Sequence, residues 1–156
     1  MKDSEIEGVI IKELSKHQDS RGWLTELFRN DEIPQQFMPL MAYISQTEPG
    51  VARGPHEHKH QADFFCFVGP STFRIYLWDS RRSSPTFGNK MVLEAGENKF
   101  LSIIVPSGVV HAYKNVGTKP GWVLNFPNKL YAGYGRKEPV DEIRHENDPN
   151  SIYKLD

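Results

Sequence analysis

The chain has one cysteine, Cys66, and so no internal disulfide. It lacks an excess of either charge: 19 Lys and Arg against 20 Asp and Glu give a formal net charge of −1. That balance supplies no basic field for nucleic acid, although a local pocket for a small anion remains compatible with it. No apolar run approaches the roughly 20 residues needed to span a bilayer. The stretch Met1-Lys2-Asp3-Ser4-Glu5 is charged and has no secretory apolar core, so a cytoplasmic protein is expected, with no membrane partner. A sustained helical period is missing too. The apolar run Phe64-Phe65-Cys66-Phe67-Val68 suggests a buried, inert thiol.

What is present is an ordinary globular composition, 38% hydrophobic and 25% charged in 156 residues, enough for one domain with its own core. The apolar residues come in short runs broken by Gly, Pro, Asn and Asp, which predicts an all-β chain. Expected strands are 8–14, 23–29, 41–46, 63–68, 72–79, 90–93, 100–105, 111–115 and 122–126, with a short helical turn over 31–37. In 72–79, Phe73, Ile75 and Leu77 alternate with Arg74, Tyr76 and Trp78, so both faces of that strand have large side chains to cover. Residues 127–156 are polar and read as an extension packed on the body of the domain or on a partner subunit. Trp78 and Trp122 read as core or interface residues, whereas Trp23, between Arg21 and Glu26, is a candidate to stack on a nucleotide base.

Four of the six histidines fall in two short segments, Arg53-Gly54-Pro55-His56-Glu57-His58-Lys59-His60 and Pro106-Ser107-Gly108-Val109-Val110-His111. In an extended strand His56 and His58 share a face. Histidine titrates near neutrality and binds transition metals, so two distant segments that both deliver it suggest one polar site. His60, between Lys59 and Gln61, receives no role.

The spacings Gly50-x5-His56-x-His58-x4-Asp63-x5-Gly69 and Pro106-x-Gly108-x2-His111-x3-Asn115 resemble the paired motifs of the cupin superfamily, with Asp63 where many members have glutamate. The resemblance implies a single cupin domain over 1–156, a double-stranded β-helix or jelly-roll barrel with a core at about 8–126. Two readings follow. His56, His58, Asp63 and His111 bind a divalent metal (Zn, Fe, Mn or Ni), or the histidines work without metal as acid–base and substrate groups.

A closer resemblance extends along the chain. Asp19-Ser20-Arg21-Gly22-Trp23-Leu24-Thr25-Glu26, Gly50-Val51-Ala52-Arg53-Gly54-Pro55-His56, Ser84-Pro85-Thr86-Phe87-Gly88, Glu97-Asn98-Lys99 and Asn147-Asp148-Pro149 are similar, in order, to segments of the dTDP-4-dehydrorhamnose 3,5-epimerases. The resemblance implies an isomerase that moves protons next to the ketone of a nucleotide-diphosphate sugar, without a required cofactor, as a homodimer. It implies His56 as general base, Asp148 as its partner (with Asp141 as a rival), and His111 in the sugar pocket. Arg21, Glu26 and Arg53 would contact the nucleotide-sugar, arginine suiting a diphosphate. The chain departs from the pattern twice. Where the family carries a pocket lysine it reads Gln61-Ala62-Asp63, and the place of the family's proton-donating tyrosine is held by Asn125. Tyr131 matches a later family tyrosine. The stretch Arg53-Gly54-x-His56-x-His58-Lys59 also resembles the dTDP-4-keto-6-deoxyglucose 3,4-ketoisomerases, which gives His58 a role in substrate handling. A metal- or sugar-binding cupin without turnover is the third reading.

Overall fold

A computed structural model describes residues 5–156. The charged stretch 1–4, part of the N-terminal expectation, lies outside the described residues. The strands are β1 (Ile10–Glu13), β2 (His17–Asp19), β3 (Gly22–Leu24), β4 (Tyr43–Thr47), β5 (Ala52–Glu57), β6 (Asp63–Phe67), β7 (Thr72–Asp79), β8 (Lys90–Gly96), β9 (Leu101–Val105), β10 (Val109–Asn115), β11 (Gly121–Asn125) and β12 (Ile143–Arg144). They form two five-stranded sheets, in the orders β1-β9-β6-β11-β4 and β12-β5-β10-β7-β8, with β2 and β3 as a separate hairpin. Every pairing is antiparallel. This is the expected cupin jelly roll.

Period-2 alternation builds the core between the sheets. Phe65 and Phe67 from one sheet meet Phe73, Ile75, Leu77, Val109 and Tyr113 from the other. Three aromatic rings, Phe65, Phe67 and Phe73, surround Tyr113 at centroid distances of 5.8, 5.7 and 5.6 Å. The opposite parity of the same strands is covered from outside. Tyr76, Trp78, Val110 and Ala112 lie under Tyr153 and Leu155 of the C-terminal segment. Phe64, Cys66 and Ile104 lie under Leu27, Ile33, Phe37 and Phe126. Both faces of 72–79 are thus buried, as its sequence suggests. Cys66 is fully buried, and burial pushes its thiol up to about 12.

That outer cover explains two departures from expectation. The predicted strand 23–29 ends at Leu24, because Leu27 and Phe28 are spent as a lid on β6; Phe28 packs against Phe64 and Phe126. The expected turn over 31–37 contracts to a 3-10 turn at Gln35–Phe37 after Pro34. β5 and β12 are strands that alternation did not reveal, since Gly, Pro and charged residues interrupt them. The Ser84–Gly88 turn is held by Asp79, which accepts from Arg81 Nε at 2.8 Å, Ser84 Oγ at 2.6 Å and Thr86 Oγ1 at 2.6 Å. Arg81 is therefore spent on structure.

Burial disfavours the Asp79 charge, but the bonds from Arg81, Ser84 and Thr86 win and hold its pKa below the ordinary 3.8. Its stabilisation is present above that range and fades as pH falls below it. Asp79→Asn is expected to lower stability by about 1–3 kcal/mol at pH 7. Urea denaturation should show the gap between variant and wild type narrowing as the pH falls below about 4.

Candidate active site

The two histidine segments meet because β5 and β10 are neighbours. His56 stands directly opposite His111 in their register, and the rings are 4.6 Å apart in a T-shaped contact. His111 shares its strand face with the core residues Val109 and Tyr113, so it faces into the barrel. Gly54 allows the close approach. It has φ +86°, and a Cβ there would meet the His111 carbonyl oxygen at 2.6 Å. β12 pairs with the other edge of β5 and sets Arg144 opposite His56. The C-terminal segment therefore walls the site of its own chain. His58 follows immediately after β5, its carbonyl accepting from Gly108 N–H at 2.9 Å.

Asp63, at the start of β6, joins the facing sheet to this cluster. Its Oδ2 accepts from His58 Nε2 at 2.9 Å and lies 3.1 Å from His111 Nε2, the latter contact close but poorly aligned for a hydrogen bond. Its Oδ1 accepts from Gln61 Nε2 at 2.8 Å and from Asn125 Nδ2 at 2.9 Å. The second nitrogen of each histidine is fixed on backbone: His58 Nδ1 on the Asp141 carbonyl and His111 Nδ1 on the Val109 carbonyl. The Asp141 side chain accepts from the N–H groups of Lys59, His60 and Gln61 at 2.8, 2.8 and 2.9 Å. It braces the turn that carries His58 and does not touch His56.

These contacts separate the histidines electrostatically. Burial opposes a charge on His58, but the Asp63 hydrogen bond and charge, with the Asp141 carbonyl, raise it to about 9. With acceptors at both nitrogens it is an imidazolium at neutral pH. Burial, then the adjoining His111 and His58, push His56 down to about 3, so it is neutral. Burial also disfavours an ionised Asp63, yet the histidines hold its pKa well below the usual carboxylate value.

A cavity of about 1080 Å³ opens over the cluster, lined by Tyr43, Arg53, His56, His58, His60 and Tyr131 among others. Arg53 is oriented by Thr47 Oγ1 at 2.9 Å and the Gln46 carbonyl at 2.7 Å. Asn125 and His111 are buried beneath the floor. Other expected residues stand elsewhere. Arg21 is exposed on the β2–β3 hairpin, ion-paired with Asp19 at 2.5 Å, and neither it nor Glu26 lines the cavity. Asp148 is exposed, accepts from Asn150 N–H at 2.9 Å, and does not line it either. The carboxylates facing His56 Nδ1 are Glu142 at 3.8 Å and Glu146 at 3.9 Å. A helical or strand period could not single these out, because the segment is irregular; the only signal was their place in a charged run near the expected partner.

The nitrogens of His56, His58 and His111 lie within 4.8 Å of one another. The Nδ1–H groups of His58 and His111 are parked on carbonyls, a common second shell for metal-binding histidines, and His58 would bind metal only after its Nε2 gives up its proton and its bond to Asp63. His111 Nε2 is buried without an aligned partner. This donor set fits a divalent metal held by the three imidazoles, with Asp63 as an additional ligand once released from His58. A bound metal would supply Lewis-acid polarisation of a carbonyl.

An antiparallel jelly roll with a polar, histidine-lined mouth is a cupin-type barrel with a candidate catalytic site. Residues 3–131 match the family described as dTDP-4-dehydrorhamnose 3,5-epimerase, and the chain belongs to that family. It is 38% identical over 128 residues to the probable low-salt glycan biosynthesis epimerase Agl13 of Haloferax volcanii, covering 81% of each. It is 33% identical over 126 residues to the spore coat polysaccharide biosynthesis protein SpsL of Bacillus subtilis, covering 81% of this chain and 82% of that one. The fold is similar to that of a dTDP sugar isomerase from Desulfovibrio desulfuricans, with a TM-score of 0.84 at 20% identity over 97% of this chain and 92% of the other. It is also similar to ChmJ, a 3'-monoepimerase from Streptomyces bikiniensis solved with dTDP-quinovose, with a TM-score of 0.79 at 22% identity over 99% of this chain and 82% of the other.

Histidine ring NMR on chelator-treated protein is expected to show His58 titrating near 9 and His56 neutral throughout pH 5–8. A folded pKa above the ordinary 6.5 means that His58 stabilises the fold fully below that pH and loses this contribution as the pH rises through about 9.

Proposed function

We propose that this chain is a cytoplasmic epimerase acting on a nucleotide-diphosphate 4-keto-6-deoxy sugar. One observation carries the reading: a neutral, cavity-lining histidine, His56, sits beside a buried imidazolium, His58. Removing a proton next to a ketone needs a base and a positive charge or donor for the enolate oxygen. His56 is the base. His58 provides the charge that the missing family lysine would have brought. Glu142 or Glu146, moving within hydrogen-bond distance of Nδ1, would stabilise His56 as it gains the proton. Arg53 offers its guanidinium to the diphosphate, and Tyr131 borders the sugar or base. Asn125 acts from below the floor, through Asp63.

A second reading, with a divalent metal on His56, His58, His111 and Asp63, is favoured by the two Nδ1–H groups locked on carbonyls. Deuterium incorporation from heavy water into a dTDP-4-keto-6-deoxy sugar tests the first reading. Wild type is expected to exchange a carbon-bound proton and invert that centre, and His56→Asn to lose about 100-fold or more. Full activity in protein shown to be metal-free would exclude the metal reading. A 3-keto product would assign the ketoisomerase reaction instead.

The protein would work as a homodimer. β4 is an unpaired sheet edge bearing exposed Ile44 beside exposed Trp122, and the β2–β3 hairpin exposes Trp23 and Leu24. In this arrangement Arg21 and Glu26 would serve the neighbour's cavity rather than their own. Sedimentation equilibrium is expected to return twice the chain mass of 17.9 kDa, and a monomer at micromolar concentration would rule the dimer out.

A further inference from the structure

Tyr43 is a cavity-lining side chain that neither the histidine motifs nor the family pattern singles out. Its phenol is placed by a continuous set of contacts. On β4, Tyr43 shares its parity with Ser45 and with buried Thr47, and Ser45 Oγ reaches the inward-facing Tyr113 hydroxyl at 3.2 Å, so this side of β4 faces the barrel interior. Tyr43 stands opposite Asn125 in the β4–β11 register. The orientation of the Asn125 amide is fixed: its Oδ1 accepts from Phe64 N–H at 3.0 Å, and its Nδ2 donates to Asp63 Oδ1 and to the Tyr43 hydroxyl, each at 2.9 Å. The Tyr43 oxygen is therefore an acceptor toward the floor. Among the described residues none accepts its own O–H proton.

His56 and Tyr43 come from opposite sheets, β5 in one and β4 in the other, and both line the same cavity. A sugar lodged between them presents one ring face to the imidazole and the other to the phenol. Two other cavity-lining tyrosines are less suited. Tyr113 belongs to the His56 sheet, with its hydroxyl engaged by Ser45, and Tyr134 is almost fully exposed.

We propose that Tyr43 is the catalytic acid that returns a proton to the face opposite His56, an assignment that rests on the epimerase reading above. In the first step His56 takes the proton from the carbon next to the ketone, and the C–H electron pair moves into the enolate. In the second, the enolate carbon takes the Tyr43 proton on its other face, leaving a phenolate stabilised by the Asn125 N–H. Water then reprotonates Tyr43 and accepts the proton from His56, so no oxidant or reductant is consumed.

The test is Tyr43→Phe, assayed with a dTDP-4-keto-6-deoxy sugar in heavy water by NMR, which follows exchange and inversion separately. Unfolding midpoints verify that the variant is folded. The expected result is exchange with retained configuration, within about threefold of wild type, while inversion falls about 100-fold or more. Inversion within about threefold of wild type would overturn the assignment. Parallel loss of exchange and inversion would also overturn it, because Tyr43 would then serve binding. A wild-type protein that exchanges no deuterium would refute the epimerase reading itself, and the role of Tyr43 with it.

Discussion

The site depends on one buried carboxylate. Asp63 begins the strand that leads into the aromatic core, yet its two oxygens contact His58, His111, Gln61 and Asn125. Removing a carboxylate and an imidazolium from water costs several kcal/mol each, and only close opposite charge with satisfied hydrogen bonds offsets this. Asp63 and His58 meet both conditions. Their pairing sets the electrostatics of the neighbourhood: a fixed cation at His58 helps keep His56 neutral, and protonating His56 requires the nearby Glu142 and Glu146 carboxylates to offset that cation.

Where the family pattern carries a lysine this chain has Gln61-Ala62-Asp63, which ends in a buried carboxylate paired with the His58 cation. The negative side chain recruits a positive one from β5's end, and the cation reappears one residue network away. Asn125, in place of a tyrosine, couples to the same carboxylate and carries the connection on to Tyr43. The two departures from the family pattern are therefore a single linked feature. They share one hydrogen bond.

The C-terminal segment has a larger part than its polar composition suggests. Through β12 it completes the sheet beside His56, and through Asp141 it fixes the turn bearing His58. Glu142 and Glu146 reach His56 from the same segment. Sequence reading placed a carboxylate partner for His56 in this region but on Asp148, which lies exposed two residues beyond Glu146. Along an irregular chain, adjacent acidic residues are not distinguished by pattern. Only the β5–β12 pairing selects which of them turn inward.

The sequence alone determined the all-β class, through its resemblance the jelly roll, and the two histidine segments that the fold brings together. Alternation of apolar residues and the spacing of His56, His58 and His111 are local properties that survive in one dimension. The tertiary structure decided the rest: His56 opposite His111, Asp63 as the link between the sheets, the inward carboxylates, and Tyr43 on the sheet opposite His56. These are contacts between residues up to 90 positions apart, as between His56 and Glu146. They follow from strand register and from the need to satisfy buried charge, and neither is written in any single segment.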